Sequence, residues 1–280
     1  MRIAIASGKG GTGKTTVAVN MALSAGGDVQ LVDCDVEEPN CHIFIAPRLS
    51  ERRAVTVPVP RVDEAKCTSC GKCGEVCQYS AIVSLKTKPL VFPEMCHGCG
   101  GCLLACPEGA ISEEEREIGI VERGALNGHS FIHGRLNIGE AMAPPLIRAV
   151  KKAAGKDGLV ILDSAPGTSC PVVETVRSCD YVVLVTEPTP FGLNDLEPAV
   201  AMVKALALPF GVVINRSDIG GEMVRDFCGE QRIGILAEIP DDRKIAEVYS
   251  RGEAIVQALP EYTGIFRAIL AQVEAAVVGK

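Results

Sequence analysis

Eight residues near the start of the chain, Gly8-Lys9-Gly10-Gly11-Thr12-Gly13-Lys14-Thr15, constrain its fold more than any other feature. They satisfy G-x-x-x-x-G-K-[ST] and stand between an apolar run, Arg2 to Ala6, and an apolar helical pattern, Lys14 to Ala25. Strand, glycine loop and helix in that order make an anion cradle. The glycines let successive backbone N–H groups turn inward, and the helix N-terminus adds its partial positive charge. Lys14 is then placed to neutralise the β- and γ-phosphates of ATP and Thr15 to offer its hydroxyl to Mg²⁺, with Gly8, Gly10, Gly11, Thr12, Gly13 and Thr16 completing the cradle. A second strand, Val29 to Val32, follows. A strand, helix and strand in succession imply a mostly parallel sheet flanked by helices, the α/β fold of a P-loop NTPase.

The same alternation returns late in the chain. Strands are expected at Leu159 to Leu162, Tyr181 to Val185, Phe210 to Ile214 and Ile233 to Ala237. Between them helices are expected at Pro144 to Ala154, Pro171 to Ser178, Gly192 to Leu206 and Gly220 to Gly229, with a last one from Tyr262. The texture breaks from Cys67 to Pro107, where eight of the thirteen cysteines fall. The expected division is therefore a split ATPase-like domain, residues 1–58 and 114–280, around an inserted module, residues 59–113.

Composition narrows the setting. Twenty-eight basic residues against 35 acidic ones give a net charge of −7, which argues against a phosphate-tracking surface and hence against nucleic acid as a partner. The longest apolar stretch, Ala199 to Ile214, is interrupted by Lys204 and Pro209, so no membrane span is expected. The last helix carries only Arg267 and Lys280 as cations and reads as a packing helix, not an anchor. An odd, high cysteine count behind an N-terminus too short for an export signal points to metal held in a reducing, cytoplasmic setting.

Lys9 is a second lysine inside the phosphate loop, and Gly8-Lys9-Gly10-Gly11 resembles the deviant Walker A of the MinD/ParA family, which includes the nitrogenase iron protein and Mrp-type iron–sulfur carriers. Three further marks occur in the family's order. Asp33-Cys34-Asp35 resembles the first switch, Asp163-Ser164-Ala165-Pro166-Gly167 the Walker B and second switch, and Asn215 the adenine-reading residue, with Ile239-Pro240-Asp241 as the adjoining base loop. The resemblance covers about Met1 to Arg48 and Ile118 to the C-terminus. It implies an ATP-dependent homodimer, or a heterodimer with a related ATPase, in which Lys9 reaches the partner's nucleotide. It further implies that Asp33 and Asp163 support Mg²⁺, and that Asp35 positions the attacking water.

Cys67, Cys70, Cys73 and Cys77 form C-x₂-C-x₂-C-x₃-C, and Cys96, Cys99, Cys102 and Cys106 repeat it, followed by Pro107. This is the bacterial ferredoxin run, in which the fourth cysteine ligates the other cluster. One [4Fe-4S] cluster is thus expected on Cys67, Cys70, Cys73 and Cys106, and a second on Cys96, Cys99, Cys102 and Cys77. Structural zinc is the competing reading, although zinc does not need the third cysteine of each run. Gln78 stands where a proline usually follows the fourth cysteine, which puts the local turn in question. His97 reads as a loop histidine bonded to water and not as a ligand.

Five cysteines remain: Cys34, Cys41, Cys170, Cys179 and Cys228. A buried, inert apolar side chain is the ordinary fate of a free cysteine and is expected of all five. Cys170 also has a sharper reading. It lies seven residues beyond Asp163, the offset at which the nitrogenase iron protein places an interface cysteine, so a metal or cluster between two Cys170 residues at the switch-lined interface, with Cys34 or Cys41 as a further ligand, is a candidate. The second such cysteine has no counterpart, and the late C-x-x-C of Mrp-type carriers is reduced to Cys228. Three classes of function fit the whole: an ATPase that couples nucleotide state to electron transfer or cofactor assembly on a partner, an ATP-dependent cluster carrier, and a spatial-positioning ATPase that would leave the cysteines without a role.

Overall fold

A computed structural model describes residues 1–85, 88–126, 128–155 and 157–279. Lys280, part of the expected C-terminal helix, lies outside the described residues. The chain runs β1 (Arg2–Ala6), α1 (Lys14–Ser24), β2 (Val29–Asp33), α2 (Cys41–Ile45) and then a long strand, β3 (Arg48–Val62). The cysteine-rich stretch follows with α3 (Lys72–Val76), β4 (Ile82–Val83), β5 (Leu90–Val91) and α4 (Gly101–Ala105). The chain returns through β6 (Ile111–Leu126) and β7 (His129–Leu136) and resumes alternation with α5 (Pro144–Ala153), β8 (Leu159–Asp163), α6 (Cys170–Val176), β9 (Tyr181–Thr186) and α7 (Pro190–Ala205). It ends with β10 (Phe210–Asn215), α8 (Met223–Glu230), β11 (Ile235–Ile239), α9 (Arg243–Ser250), α10 (Ile255–Ala258) and α11 (Thr263–Val278).

Nine strands form one sheet in the order β11-β10-β9-β1-β8-β2-β7-β6-β3. The seven from β11 to β7 pair in parallel, and β6 and β3 add an antiparallel edge. Parallel strands must be covered on both faces, and their residues alternate between the two. Ile3 and Ile5 belong to the core that holds Met21 of α1 and Phe266, Ile269 and Val273 of α11, whereas Ala4 and Ala6 face the core holding Leu146 of α5 and Val200 of α7. The last helix is thus a packing helix, as its sparse cations imply. Among the described residues no helix is long and apolar enough to cross a membrane.

β3 and β6 pair from Arg48 opposite Ala125 to Val62 opposite Ile111. Pro58 and Pro60 share one parity on β3, so their missing N–H groups fall on one side of an edge strand, where no ladder bond is lost. This ribbon was not expected, and the boundaries drawn at 58/59 and 113/114 cut across it. The cysteine-rich segment, residues 63–110, sits between its two strands. Cys73 and Ile82 of that segment form a small core with Ile111 of the ribbon, and the segment contributes Ala81 and Cys96 to the large core beside Val55, Val57 and Ile118 of the ribbon.

Candidate functional site

The phosphate loop turns between β1 and α1. Gly13 precedes the helix with φ 93°, and a Cβ there would lie 2.4 Å from Asn215 Nδ2, while a Cβ on Gly8 would lie 1.8 Å from the carbonyl oxygen of Asp195 on α7. Both glycines are therefore required by close approach of other elements. Lys14 opens α1 and is 7% exposed. Thr15 Oγ1 donates to Asp163 Oδ2 at 2.6 Å, and Asn215 Nδ2 donates to the Thr12 carbonyl at 2.9 Å, tying the end of β10 to the loop.

A cleft of about 460 Å³ opens above this loop, and Gly10, Gly11, Gly13, Lys14, Thr15 and Thr16 line it from below. Asp35, Asn215, Pro240 and Asp241 line its sides. Gly8 and Thr12, expected in the cradle, are not among the residues that line the cleft. Nor does Lys9 enter it: its Nζ lies 3.9 Å from Glu187 Oε2, and Glu187 also takes Arg216 Nη1 at 3.1 Å. Sequence reasoning missed Arg216, Ile245 and Tyr249 in the cleft wall. Arg216 directly follows Asn215 with φ 51°, a conformation rare for a side-chain-bearing residue, but no sequence signal marked α9 as part of the wall.

Three acidic side chains lie under or beside the loop. Asp33 is fully buried at the end of β2 and accepts from the backbone N–H groups of Asp35, Asn40 and Cys41 at 3.1, 2.9 and 3.0 Å. It thereby folds the Asp35-bearing loop back onto the sheet. Burial first, then the charge of Asp163, pushes its carboxyl well up. Burial pushes Asp35 up to about 6 against the Glu38 N–H, and the Asp163 charge adds to the rise while Lys14 opposes it. Asp163 is 1% exposed and also pushed up by burial, with the Thr15 hydroxyl and Lys14 opposing. Its Oδ1 has no hydrogen-bond partner, the condition expected of an oxygen that serves a cation.

In the cysteine-rich segment, Cys67, Cys70, Cys73 and Cys106 line one small cavity. Cys77, Cys96, Cys99 and Cys102 line a second, whose wall also includes Pro58 and Pro60 of the ribbon. The fourth cysteine of each run therefore joins the other run's first three. A single tetrahedral zinc, about 2.3 Å from each thiolate, would draw the sulfurs to about 3.8 Å of one another. Among the described residues no three cysteine sulfurs lie within 4.8 Å of one another. Backbone N–H groups of Gly98 and Ala110 point at Cys96 Sγ and Cys106 Sγ at 3.4 and 3.3 Å. Burial opposes ionisation of Cys77, but the N–H groups of Tyr79, Ile82, Ala81 and Ser80 hold its thiol below the usual range, so the turn at Gln78 serves the cysteine without a proline. His97 stacks on Tyr79 with ring centroids 3.5 Å apart.

Of the remaining cysteines, Cys34, Cys41, Cys179 and Cys228 are buried. Cys170 is not: it is exposed at the first position of α6, contrary to the expectation of a buried residue, because it starts a short helix at the surface.

Residues 3–255 match the family model described as the CobQ/CobB/MinD/ParA nucleotide binding domain. An uncharacterised protein of Methanocaldococcus jannaschii is 32% identical over 263 residues, covering 92% of each chain. An iron-sulfur cluster carrier protein of Pyrococcus abyssi is 24% identical over 278 residues, covering 91% of this chain and 79% of that one. Among solved structures, the septum site-determining protein MinD of Pyrococcus horikoshii complexed with Mg-ADP superposes with a TM-score of 0.58 at 20% identity, over 97% of this chain and 95% of that one. With its phosphate loop, Asp163 and nine-stranded sheet in this arrangement, the chain belongs to the CobQ/CobB/MinD/ParA family of nucleotide-binding proteins.

Proposed function

We propose that this chain binds and hydrolyses Mg·ATP as a sandwich dimer and couples nucleotide state to two [4Fe-4S] clusters that serve electron transfer, or the assembly of a metal or iron–sulfur cofactor, on a partner protein. The observation that carries the reading is the pair of four-cysteine cavities at the end of a ribbon continuous with the ATPase sheet. Lys14 would neutralise the β- and γ-phosphates, Thr15, Asp33 and Asp163 would hold Mg²⁺, and Asp35 would orient the attacking water. Asn215, Pro240 and Asp241 would take the base. Lys9, turned away from its own cleft toward Glu187, is free to serve a partner's nucleotide once that ion pair opens. Clusters held by the two cysteine sets would supply low-potential one-electron chemistry.

The coupling route is short. Asp33, at the root of the first switch, pairs in register with His133 of β7; Leu136 N–H donates to the Val36 carbonyl at 2.8 Å; and His133 Nε2 lies 3.1 Å from Glu122 of the ribbon. A rearranged Asp35 loop therefore pulls on the strand pair that carries the cysteines. Tyr79, Leu90, Phe92, Met95 and Leu104 are exposed on the same segment, an apolar surface suited to a partner protein.

A carrier reading is supported by the name of the Pyrococcus abyssi relative and by the exposure of Cys70 and Cys99. Against it, each cavity has a complete four-cysteine set, which favours clusters that stay. Anaerobic reconstitution tests the reading. It predicts about eight irons per chain, falling to about four in either Cys73→Ser or Cys102→Ser. It also predicts Mg-dependent ATP hydrolysis. Stoichiometric zinc in place of iron, or iron lost quantitatively to an apo-acceptor on ATP addition, would set the retained-cluster reading aside.

A further inference from the structure

We propose that the cation site beneath the phosphate loop is a mixed oxygen and sulfur site, in which the Cys41 thiolate joins Asp33 and Asp163 and gives the site an affinity for thiophilic divalent ions such as Fe²⁺, Co²⁺ or Zn²⁺. The proposal rests on the nucleotide-binding reading above and deepens it.

One donor atom from each of Asp33, Cys41 and Asp163 lies within 4.8 Å of the other two, all three residues are buried, and no other such trio of His, Cys, Asp or Glu occurs among the described residues. The Cys41 thiol donates to Asp163 Oδ2 at 3.4 Å, the same oxygen that takes the Thr15 hydroxyl. Asp163 Oδ1, on a side chain 1% exposed, is left with no partner. Two adjacent buried carboxylates with an unused oxygen call for a cation, and the thiol stands on the same spot.

The backbone fixes that thiol. Cys41 is the first residue of α2, and its N–H donates to Asp33 Oδ2 at 3.0 Å, so the carboxylate that would brace the ion also holds the residue that supplies the sulfur. Mg²⁺ is a hard ion that takes oxygen ligands, and a serine or alanine at this position would suit it equally well. A sulfur in the set favours softer ions. On ligation the thiol proton leaves to solvent and the sulfur lone pair binds the ion, so no oxidant or reductant is needed.

The test compares Cd²⁺ with Mg²⁺ as the ion supporting binding of a fluorescent ATP analogue, in the cluster-loaded parent and in Cys41→Ser. The cysteine module is the same in both proteins, so its contribution cancels in the comparison. The ratio of affinity in Cd²⁺ to affinity in Mg²⁺ should fall by about tenfold or more in Cys41→Ser. Equal ratios in the two proteins would overturn the proposal. No nucleotide binding by the parent in any metal would overturn the underlying reading instead, and the proposal with it. If Cys41→Ser does not fold, cadmium NMR of the cluster-loaded parent with ADP decides. A resonance displaced downfield by a sulfur donor is the expected result, and a resonance at the position of oxygen-only sites would refute it.

Discussion

Lys14 and Asp35 face the same cleft but answer for different steps. Lys14, almost enclosed at the first position of α1, has no carboxylate within ion-pair reach among the described residues, so its charge is available to phosphate. Charge-assisted contacts of this kind are worth about 2 to 3 kcal/mol, and Lys14→Ala should weaken ATP binding by roughly 30- to 150-fold in a fluorescence titration. Asp35 lies at the cleft wall, where the proposed mechanism has it position the attacking water. Asp35→Ala should bind ATP as the parent does and lose at least about a hundredfold in turnover. Normal turnover in that variant would remove the assignment. Most residues on this side of the molecule were legible in the sequence, because a glycine loop between strand and helix leaves little freedom in where Lys14 and Thr15 go. Contacts such as Cys41 with Asp163 were not, since they join positions 122 residues apart.

At the scale of elements, short helices here depend on caps supplied from outside. The C-terminal end of α6 is held by Lys151 of α5, whose Nζ donates to the carbonyls of Glu174, Thr175 and Arg177 at 2.6, 2.8 and 2.6 Å. Lys151→Met keeps the stem and removes the charge, leaving three carbonyls short of a donor. A loss of about 1 to 3 kcal/mol in urea unfolding is expected. At the β11 edge of the sheet, Arg225 of α8 grips Glu238 of β11 through Nε and Nη2, both at 2.8 Å. That grip holds the Glu238 carboxyl below its ordinary range. A lowered carboxylate stabilises the fold above its unfolded pKa and ceases to do so as pH falls through the lowered value. Between those two values the parent should therefore lose stability with falling pH more steeply than Glu238→Gln, as measured by thermal melts across the acid range. The ribbon is the element the sequence hid. β3 and β6 meet only across the cysteine insert, and the acidic run Glu113 to Glu115 has the composition of a linker, although the register sets it opposite Pro60, Val59 and Pro58.

For the molecule as a whole, the ribbon makes the cysteine segment both removable and connected. Val62 stands directly opposite Ile111, and Asp63 N–H continues the ladder to the Ala110 carbonyl at 2.7 Å, so the segment leaves and returns at one point. Replacing residues 63–110 with Asn-Gly should close a short hairpin. The shortened chain is expected to keep nucleotide binding, lose all iron, and melt a few degrees lower because Ala81 and Cys96 no longer cover Val55 and Val57. Loss of nucleotide binding in a folded hairpin variant would show that the cleft depends on the module. The parallel sheet and the two cysteine runs were each readable from local pattern. Their junction was not, because it is made by long-range pairing.

The central claim is that nucleotide state and cluster redox state are coupled through the Asp33 loop, β7 and the ribbon. The most direct measurement is an anaerobic redox titration of the reconstituted chain followed by EPR, with and without a non-hydrolysable Mg·ATP analogue. Coupling of about 1.4 kcal/mol for one electron predicts a nucleotide-dependent shift of about 60 mV in at least one cluster. Identical potentials in the two states, with both clusters present and nucleotide bound, would contradict it.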